Sequence, residues 1–218
     1  MKNIIFIAPP AAGKGTVSVR ICDKYNIPHI STGDLLRDEI KNSTKLGLEI
    51  KEAMARGEFV SDEVITKLLK KRLSSKDCKK GYILDGYPRN VNQAIVYDKL
   101  LEELDFDLGK VILLDIDKDV AMQRALSRLV CSKCGLSYNL LNKELSPVKE
   151  GICDSCGSPL KSRSDDNEET FINRFNTYMN ETFPLVDYYE KKNNLVKINV
   201  TDKNSDEVFE EVEKVIKW

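Results

Sequence analysis

Apolar and polar positions along the chain alternate between short apolar runs and longer segments with a helical period. "NIIFI" (residues 3–7) is apolar after its first residue, and helical periodicity begins near Lys14. "IPHI" leads into the helical segments "DLLRDEIKN" and "LGLEIKEAMA", and Gly57 is expected to close the second. Ser61 followed by Asp62 and Glu63 has the form of an N-cap with acids in the first turn, and predicts a helix over "VITKLLKKRL". "GYILD" and "KVILLDI" read as strands, "NQAIVYDKLLEEL" and "DVAMQRALSRL" as helices. On the last of these, Arg124 and Arg128 would lie four residues apart on one face. After residue 165 come a long helical pattern, the strand "LVKINV" and an amphipathic helix "DEVFEEVEKVI". Strands that are apolar throughout, rather than at alternate positions, predict a parallel sheet covered by helices on both faces, an α/β fold.

Residues 131–165 break this alternation. They lack helical periodicity, are rich in Gly, Pro, Ser and Lys, and read as an inserted small domain. Cys131-x-x-Cys134 and Cys153-x-x-Cys156 stand 18 residues apart, a spacing that suits a four-cysteine zinc site, and each pair is followed by a glycine, Gly135 or Gly157. A redox dithiol is the alternative, but two matched pairs argue against it. Four thiolates leave no open coordination position, so such a zinc is structural, holding a segment whose own apolar core is too small. Cys22 and Cys78 stand outside the pattern and read as inert thiols. His29 is the only histidine, so no Ser-His or Cys-His nucleophile is expected; it reads as structural.

At 218 residues the chain fits one domain, or one domain with small insertions. Lys plus Arg (34) nearly cancel Asp plus Glu (35), which removes the electrostatic footprint of a general nucleic-acid binder. The apolar run at Ile4–Ile7 is too short for a secretory signal, and no run approaches the ~20 residues that span a bilayer, so a cytoplasmic protein without nucleic-acid or membrane partners is expected. Only nine of the cations are arginine, yet Arg37, Arg89, Arg124, Arg128, Arg163 and Arg174 all fall beside motif residues. Solvated helix faces would account for any one of them; six together point to phosphate, which a guanidinium grips as a rigid fork.

Three motifs carry candidate chemistry. "IIFIAPPAAGKGT" has the order of a phosphate-cradling loop (apolar strand, tight loop, helix start) but carries Ala8 at the first glycine position and its hydroxyl late, at Thr16. Backbone N–H groups at the helix N-terminus would face phosphates and Lys14 would reach them. Alone, this degraded motif is equally compatible with an ordinary strand and turn. In "YILDGYPRN", Asp85 ends a buried strand, where an unpaired carboxylate is costly; there it would hold a hydrated magnesium near a nucleotide. Gly86 and Pro88 would shape a turn aiming Arg89 at the same cleft, the alternative being a strand-end turn with an exposed arginine. "STGDLLR" offers Thr32, Gly33 and Arg37 to a ligand, although Ser/Thr-x-Asp before an apolar run is also an ordinary helix start.

"PPAAGKGT", "STGDLLR", "DGYPRN" with Gln93, and "RSDDNEET" with Arg174 occur in the order and spacing of one family across essentially the whole chain, which resembles the adenylate kinases of the long-lid, zinc-containing bacterial type. The resemblance implies a P-loop NTPase-like parallel sheet wrapped by helices, divided into a core (1–30, 61–126 and 166–218), an inserted helical AMP-binding segment (31–60) and a zinc-binding lid (127–165). It implies reversible phosphoryl transfer from MgATP to AMP, giving two ADP, by a monomer. ATP would be bound by Ala11, Ala12, Gly13, Lys14, Gly15, Thr16, Arg124 and Arg128. AMP would be bound by Thr32, Arg37, Gly86, Arg89, Gln93, Arg163 and Arg174. Lys14, Asp85, Arg89, Arg124, Arg163 and Arg174 would serve the transfer, Asp85 organising the Mg²⁺, and Cys131, Cys134, Cys153 and Cys156 would hold Zn²⁺. The chain departs from the family pattern at Ala8 and Ala11 (usually glycine), Val17, Tyr87 and Leu129. Ala8 and Ala11 are expected to avoid positive φ, since a left-handed alanine costs roughly 1–2 kcal/mol.

A zinc-ribbon nucleic-acid module fused to a nucleotide-binding domain is the rival of a different class. Residues 131–165 carry five Lys/Arg against four Asp/Glu, too nearly neutral to grip a phosphate backbone. A regulatory nucleotide-binding protein without turnover would not need all six site arginines. GTP:AMP and UMP/CMP kinases are the alternatives within the class; the long cysteine-bearing insert and Thr32 resemble the adenylate type.

Overall fold

The run Ile4–Ile7 forms β1, the middle strand of a five-stranded parallel sheet, and all four of its residues are buried. In this computed structural model, which describes residues 3–42, 44–55, 60–163 and 166–216, β2 (His29–Ser31), β3 (Ile83–Asp85), β4 (Lys110–Asp115) and β8 (Leu195–Asn199) complete the sheet in the order β2-β3-β1-β4-β8. The register pairs Ile5 with Leu84 on one side and Val111 on the other.

Side chains along a strand point alternately to opposite faces, so a strand apolar at every position serves two cores. Ile5, Ile7, Leu84, Val111 and Leu113 pack on one face against Leu69 and Leu73 of α4 (Asp62–Leu73), Leu100 and Leu101 of α5 (Val91–Leu104) and Leu185 of α8 (Pro184–Glu190). Ile4, Phe6, Ile83, Ile112 and Leu114 pack on the other face, against Val17 and Ile21 of α1 (Lys14–Tyr25), Ala121 of α6 (Lys118–Leu126) and Val208 and Val212 of α9 (Ser205–Val215). Truncating a buried side chain of this size to alanine typically costs about 2–5 kcal/mol, which is what locks the register.

The segment expected to take AMP is α2 (Thr32–Lys41) followed by α3 (Lys45–Ala55). The two approach so closely at Gly47 that a Cβ there would lie 2.0 Å from the Glu39 carbonyl oxygen. The expected helix end at Gly57 lies outside the described residues. Ser61 caps α4 as the sequence predicts, its hydroxyl accepting from the Val64 N–H at 3.4 Å. The long helical pattern after 165 becomes α7 (Glu168–Thr177), a π-helical turn at Tyr178–Thr182 and α8, which opens on Pro184.

The helix expected over "DVAMQRALSRL" stops short. It ends at Leu126, and Arg128 lies on β5 (Arg128–Cys131), so Arg124 and Arg128 do not share a helix face. Side chains take over the helix end: the C-cap Ser127 hydroxyl donates locally to the Gln123 carbonyl at 2.7 Å, and from outside the helix Asn139 Nδ2 donates to the Arg124 carbonyl at 2.9 Å. Asn139 belongs to β6 (Ser137–Asn139), which pairs with β5 and thereby draws the chain out of the helix. With β7 (Leu160–Lys161) these strands make a small antiparallel sheet, order β6-β5-β7, over a core of Cys131, Tyr138, Cys153 and Leu160.

Candidate active site

Ligands of open α/β sheets bind beyond the carboxyl ends of the strands. Here that edge carries the turn after β1, the Ser31–Thr32 junction after β2, and Asp85–Gly86 after β3. The turn runs from Ala8 to Gly13, which adopts φ 90° directly ahead of α1. No side chain caps α1 and its first turn holds no acid, so the N–H groups of Lys14, Gly15 and Thr16 form an electropositive end. A Cβ built on Gly13 or Gly15 would meet nothing within 4 Å; the space beside this backbone is open.

Ala11 contradicts the expectation that it avoids positive φ. Its φ is 63°, in the left-handed region, because the turn must reverse from strand to helix within a few residues and a non-glycine occupies one of the reversing positions. Ala11→Gly is therefore expected to stabilise the fold. Relief of a strain of about 1–2 kcal/mol exceeds the roughly 0.4–1 kcal/mol that glycine adds in unfolded-state entropy. A urea midpoint that falls on this substitution would show Ala11 to be unstrained.

Lys14 Nζ lies 2.6 Å from Asp85 Oδ1, and His29 Nε2 lies 3.2 Å from Asp85 Oδ2. Burial works to raise the pKa of this carboxylate, but the hydrogen bond from His29 and the charge and hydrogen bond of Lys14 outweigh it and hold Asp85 well below the usual carboxylate range. His29 thus touches the candidate site through Asp85, a contact compatible with the structural role that the sequence gives it. Strand parity is the signal that could have found it: His29 pairs in register with Ile83, two residues before Asp85, so the two side chains share a face.

Beyond Asp85, Gly86 adopts φ 76°, and its carbonyl accepts from Thr32 Oγ1 at 3.2 Å and from Arg89 Nε at 2.9 Å. A Cβ on Gly86 would come within 3.3 Å of that Thr32 hydroxyl. The Tyr87–Pro88 peptide is cis. Gln93 Oε1 accepts the Arg89 N–H at 2.7 Å, and Asn90 caps α5 through the Gln93 N–H at 2.9 Å. Lys14, Asp85, Gly86, Thr32, Arg89 and Gln93 therefore meet as the motifs predict. Arg37 is exposed, pairs with Asp34, and lies against Gly33. The cleft between α2 and α4, lined by Thr32, Leu35, Leu36, Ile65 and Leu68, has no room for a water molecule. A cavity of about 390 Å³ lies at the opposite edge of the sheet, around Asn3, Lys79 and Asp107, away from these groups.

Arg124 and Arg128 are engaged within the protein in this structure. Arg124 Nη2 donates to the carbonyls of Val200, Thr201 and Lys203 at 3.0–3.2 Å. Arg128 forms a two-point ion pair with Asp166. Arg163 and Arg174 occupy exposed positions, Arg174 on α7.

The four cysteines of the insert converge. Their sulfurs lie within 4.8 Å of one another, with Cys131–Cys156 at 3.4 Å, Cys134–Cys153 at 3.5 Å and Cys134–Cys156 at 3.6 Å. A tetrahedral zinc with Zn–S bonds of ~2.3 Å needs sulfurs about 3.8 Å apart, so the cluster fits the ion. The two pairs make matching turns: Gly135 N–H donates to the Cys131 carbonyl at 3.0 Å and Gly157 N–H to the Cys153 carbonyl at 2.8 Å, and both glycines have positive φ. The Tyr138 hydroxyl donates to Cys153 Sγ and lowers the pKa of that thiol, favouring the thiolate a metal needs.

Comparison with known sequences decides the family. The family model described as adenylate kinase matches residues 6–194. The chain belongs to the adenylate kinase family. An adenylate kinase of Thermotoga neapolitana is 46% identical over 219 residues, covering 100% of this chain and 98% of its own. Those of Clostridium tetani (43% over 214 residues, 98% of both chains) and Clostridioides difficile (46% over 211 residues, 96% of both chains) are similarly related. The reaction is ATP:AMP phosphoryl transfer, with Mg²⁺ accompanying ATP as in adenylate kinases generally.

Proposed function

We propose that this chain performs the transfer by charge and position alone, with no acid–base residue. The observation that carries this reading is the Lys14–Asp85 contact at the uncapped N-terminus of α1. The attacking group is an AMP phosphate oxygen, already ionised at neutral pH, so the site must align it and neutralise charge on the moving phosphoryl group. The 8–13 turn and the N–H groups of Gly13, Lys14, Gly15 and Thr16, with Ala11 and Ala12 in the turn, hold the donor phosphates, and Lys14 reaches the transferred group. Arg89, fixed through Nε by Gly86, forks onto the phosphates. Thr32, Arg37, Gly86 and Gln93 seat the acceptor nucleotide. Arg124, Arg128, Arg163 and Arg174 complete the phosphate and donor contacts. Asp85 is the residue that would hold hydrated Mg²⁺, which supplies charge neutralisation at the donor phosphates when bound.

Residues 127–165 act as a lid over core residues 1–30, 61–126 and 166–218, with 31–60 as the acceptor segment. Closure of the lid excludes water that would otherwise compete for the phosphoryl group. Zinc on Cys131, Cys134, Cys153 and Cys156 ties the two cysteine turns into one unit and takes no part in the chemistry. Metal analysis of the reduced, folded protein is expected to find about one zinc per chain, and chelation to raise the rapidly reacting thiols by about four. Burial, aided by Asp23, pushes the Cys22 thiol up to about 12, and burial pushes Cys78 up to about 11, so both react slowly in either state. Folded protein without zinc would overturn the metal reading.

A balanced charge is compatible with a cytoplasmic monomer without nucleic-acid partners, and among the described residues no helix is long and apolar enough to cross a membrane. A coupled assay across AMP, CMP, UMP and GMP, with ATP or GTP as donor, tests the acceptor assignment. ATP with AMP should exceed every other pair by more than about tenfold in kcat/KM, and a pyrimidine acceptor matching AMP would overturn it.

A further inference from the structure

Asp62 opens α4 but does not serve as its cap; Ser61 does that. Its carboxylate instead reaches α5, where Asp62 Oδ1 accepts from Gln93 Nε2 at 2.7 Å. Asp62 is itself exposed, whereas Gln93 is only 6% exposed, and the other end of its amide, Oε1, accepts the Arg89 N–H. A backbone N–H can only donate and a carboxylate can only accept, so these two partners fix which end of the amide is oxygen and which is nitrogen. Turning the amide over would set donor against donor at Arg89 and acceptor against acceptor at Asp62. After both bonds, one N–H and one oxygen lone pair are left, side by side and in a fixed order.

That order matters to a purine. A 6-amino purine offers a donor at N6 beside an acceptor at N1; a 6-oxo purine offers an acceptor at O6 beside a donor at N1. A freely rotating amide serves either, whereas a pinned one serves a single order. We propose that Asp62 is a specificity-determining positioning residue: by pinning the Gln93 amide it makes the acceptor site read 6-amino purines and reject 6-oxo purines. The proposal rests on the placement of Gln93 at the acceptor base under the proposed function.

Asp62→Asn separates pinning from packing. It keeps size and shape but presents both a donor and an acceptor, so residue 62 no longer opposes a turned Gln93 amide and only the Arg89 N–H still does. The AMP-over-IMP ratio of kcat/KM is expected to fall about tenfold, mostly through KM for the two acceptors, and Asp62→Ala, which removes one of the two opposing clashes, should lower it as well. A merely structural role would lower kcat for both acceptors and leave the ratio unmoved. A folded Asp62→Asn protein whose ratio stays within about twofold of the parent overturns the proposal. Gln93→Ala distinguishes the two failures. If it raises KM for AMP while Asp62→Asn leaves the ratio fixed, pinning alone is wrong; if it leaves KM unchanged, the acceptor-site placement falls and the proposal with it.

Discussion

Lys14→Met is expected to lower kcat by about a thousandfold, the upper end of the loss caused by removing one preorganised donor aimed at developing charge. Lys14 is the first residue of α1, and its ammonium group sits at the mouth of the turn after β1, 2.6 Å from Asp85. Methionine matches the length and apolar stem of lysine, so the substitution removes the charge with little change in packing. The cost to the fold should be small by comparison. Both partners remain partly open to solvent, with 27% of the Lys14 and 17% of the Asp85 side chain exposed, and His29 still faces the other carboxylate oxygen. A loss of about 1–2 kcal/mol in unfolding free energy by urea is expected, far less than the kinetic effect. Steady-state and single-turnover assays on folded Lys14→Met give the decisive comparison, and near-normal turnover would remove the phosphate-loop assignment altogether.

Arg89→Lys should reduce turnover by on the order of a hundredfold while retaining the charge. The reason is geometric. Arg89 Nε is committed to the Gly86 carbonyl at 2.9 Å, which orients the planar guanidinium and leaves its Nη groups for phosphate oxygens. A lysine has one nitrogen and cannot both hold Gly86 and present a fork. The loss should appear in kcat and kcat/KM together, as for a contact that strengthens as the phosphoryl group moves. A fall of less than about threefold would place Arg89 away from the reacting phosphates.

The sheet and its two cores were legible because an uninterrupted apolar run as short as Ile4–Ile7, closed by prolines, suits a strand buried on both faces and little else. The four-cysteine cluster was legible because its spacing is covalent information. Motif order pointed Lys14, Asp85, Gly86, Thr32, Arg89 and Gln93 to one cleft, and contacts link them at one edge of the sheet. Four features escaped for different physical reasons. The φ of Ala11 is set by the closure of the turn between β1 and α1, and side-chain identity argues against it. The end of α6 is set by Asn139, a β6 residue that takes the Arg124 carbonyl, and local periodicity through Arg128 carries no sign of that. The Asp62–Gln93 bond joins residues 31 apart, and Asp62 already had an adequate local role as an acid in a first helical turn. His29 lay closer to hand, since parity on neighbouring strands would have placed it beside Asp85.

The Lys14–Asp85 pair also bears on how firmly the enzyme retains its nucleotides. Under the proposed assignment of Lys14 to the donor phosphates, an ammonium already matched to a carboxylate meets an incoming phosphate by sharing or giving up its contact with Asp85, so the protein carries an intramolecular competitor for its own substrate. Whatever part of that contact is exchanged lowers ground-state affinity, which works against over-tight binding. On departure of a product the Lys14–Asp85 contact is available again, so under that assignment the phosphate would leave behind a satisfied cation instead of a stranded one. For a reaction that must run in both directions, a site that is electrostatically content when empty shortens the residence of whichever nucleotide is formed.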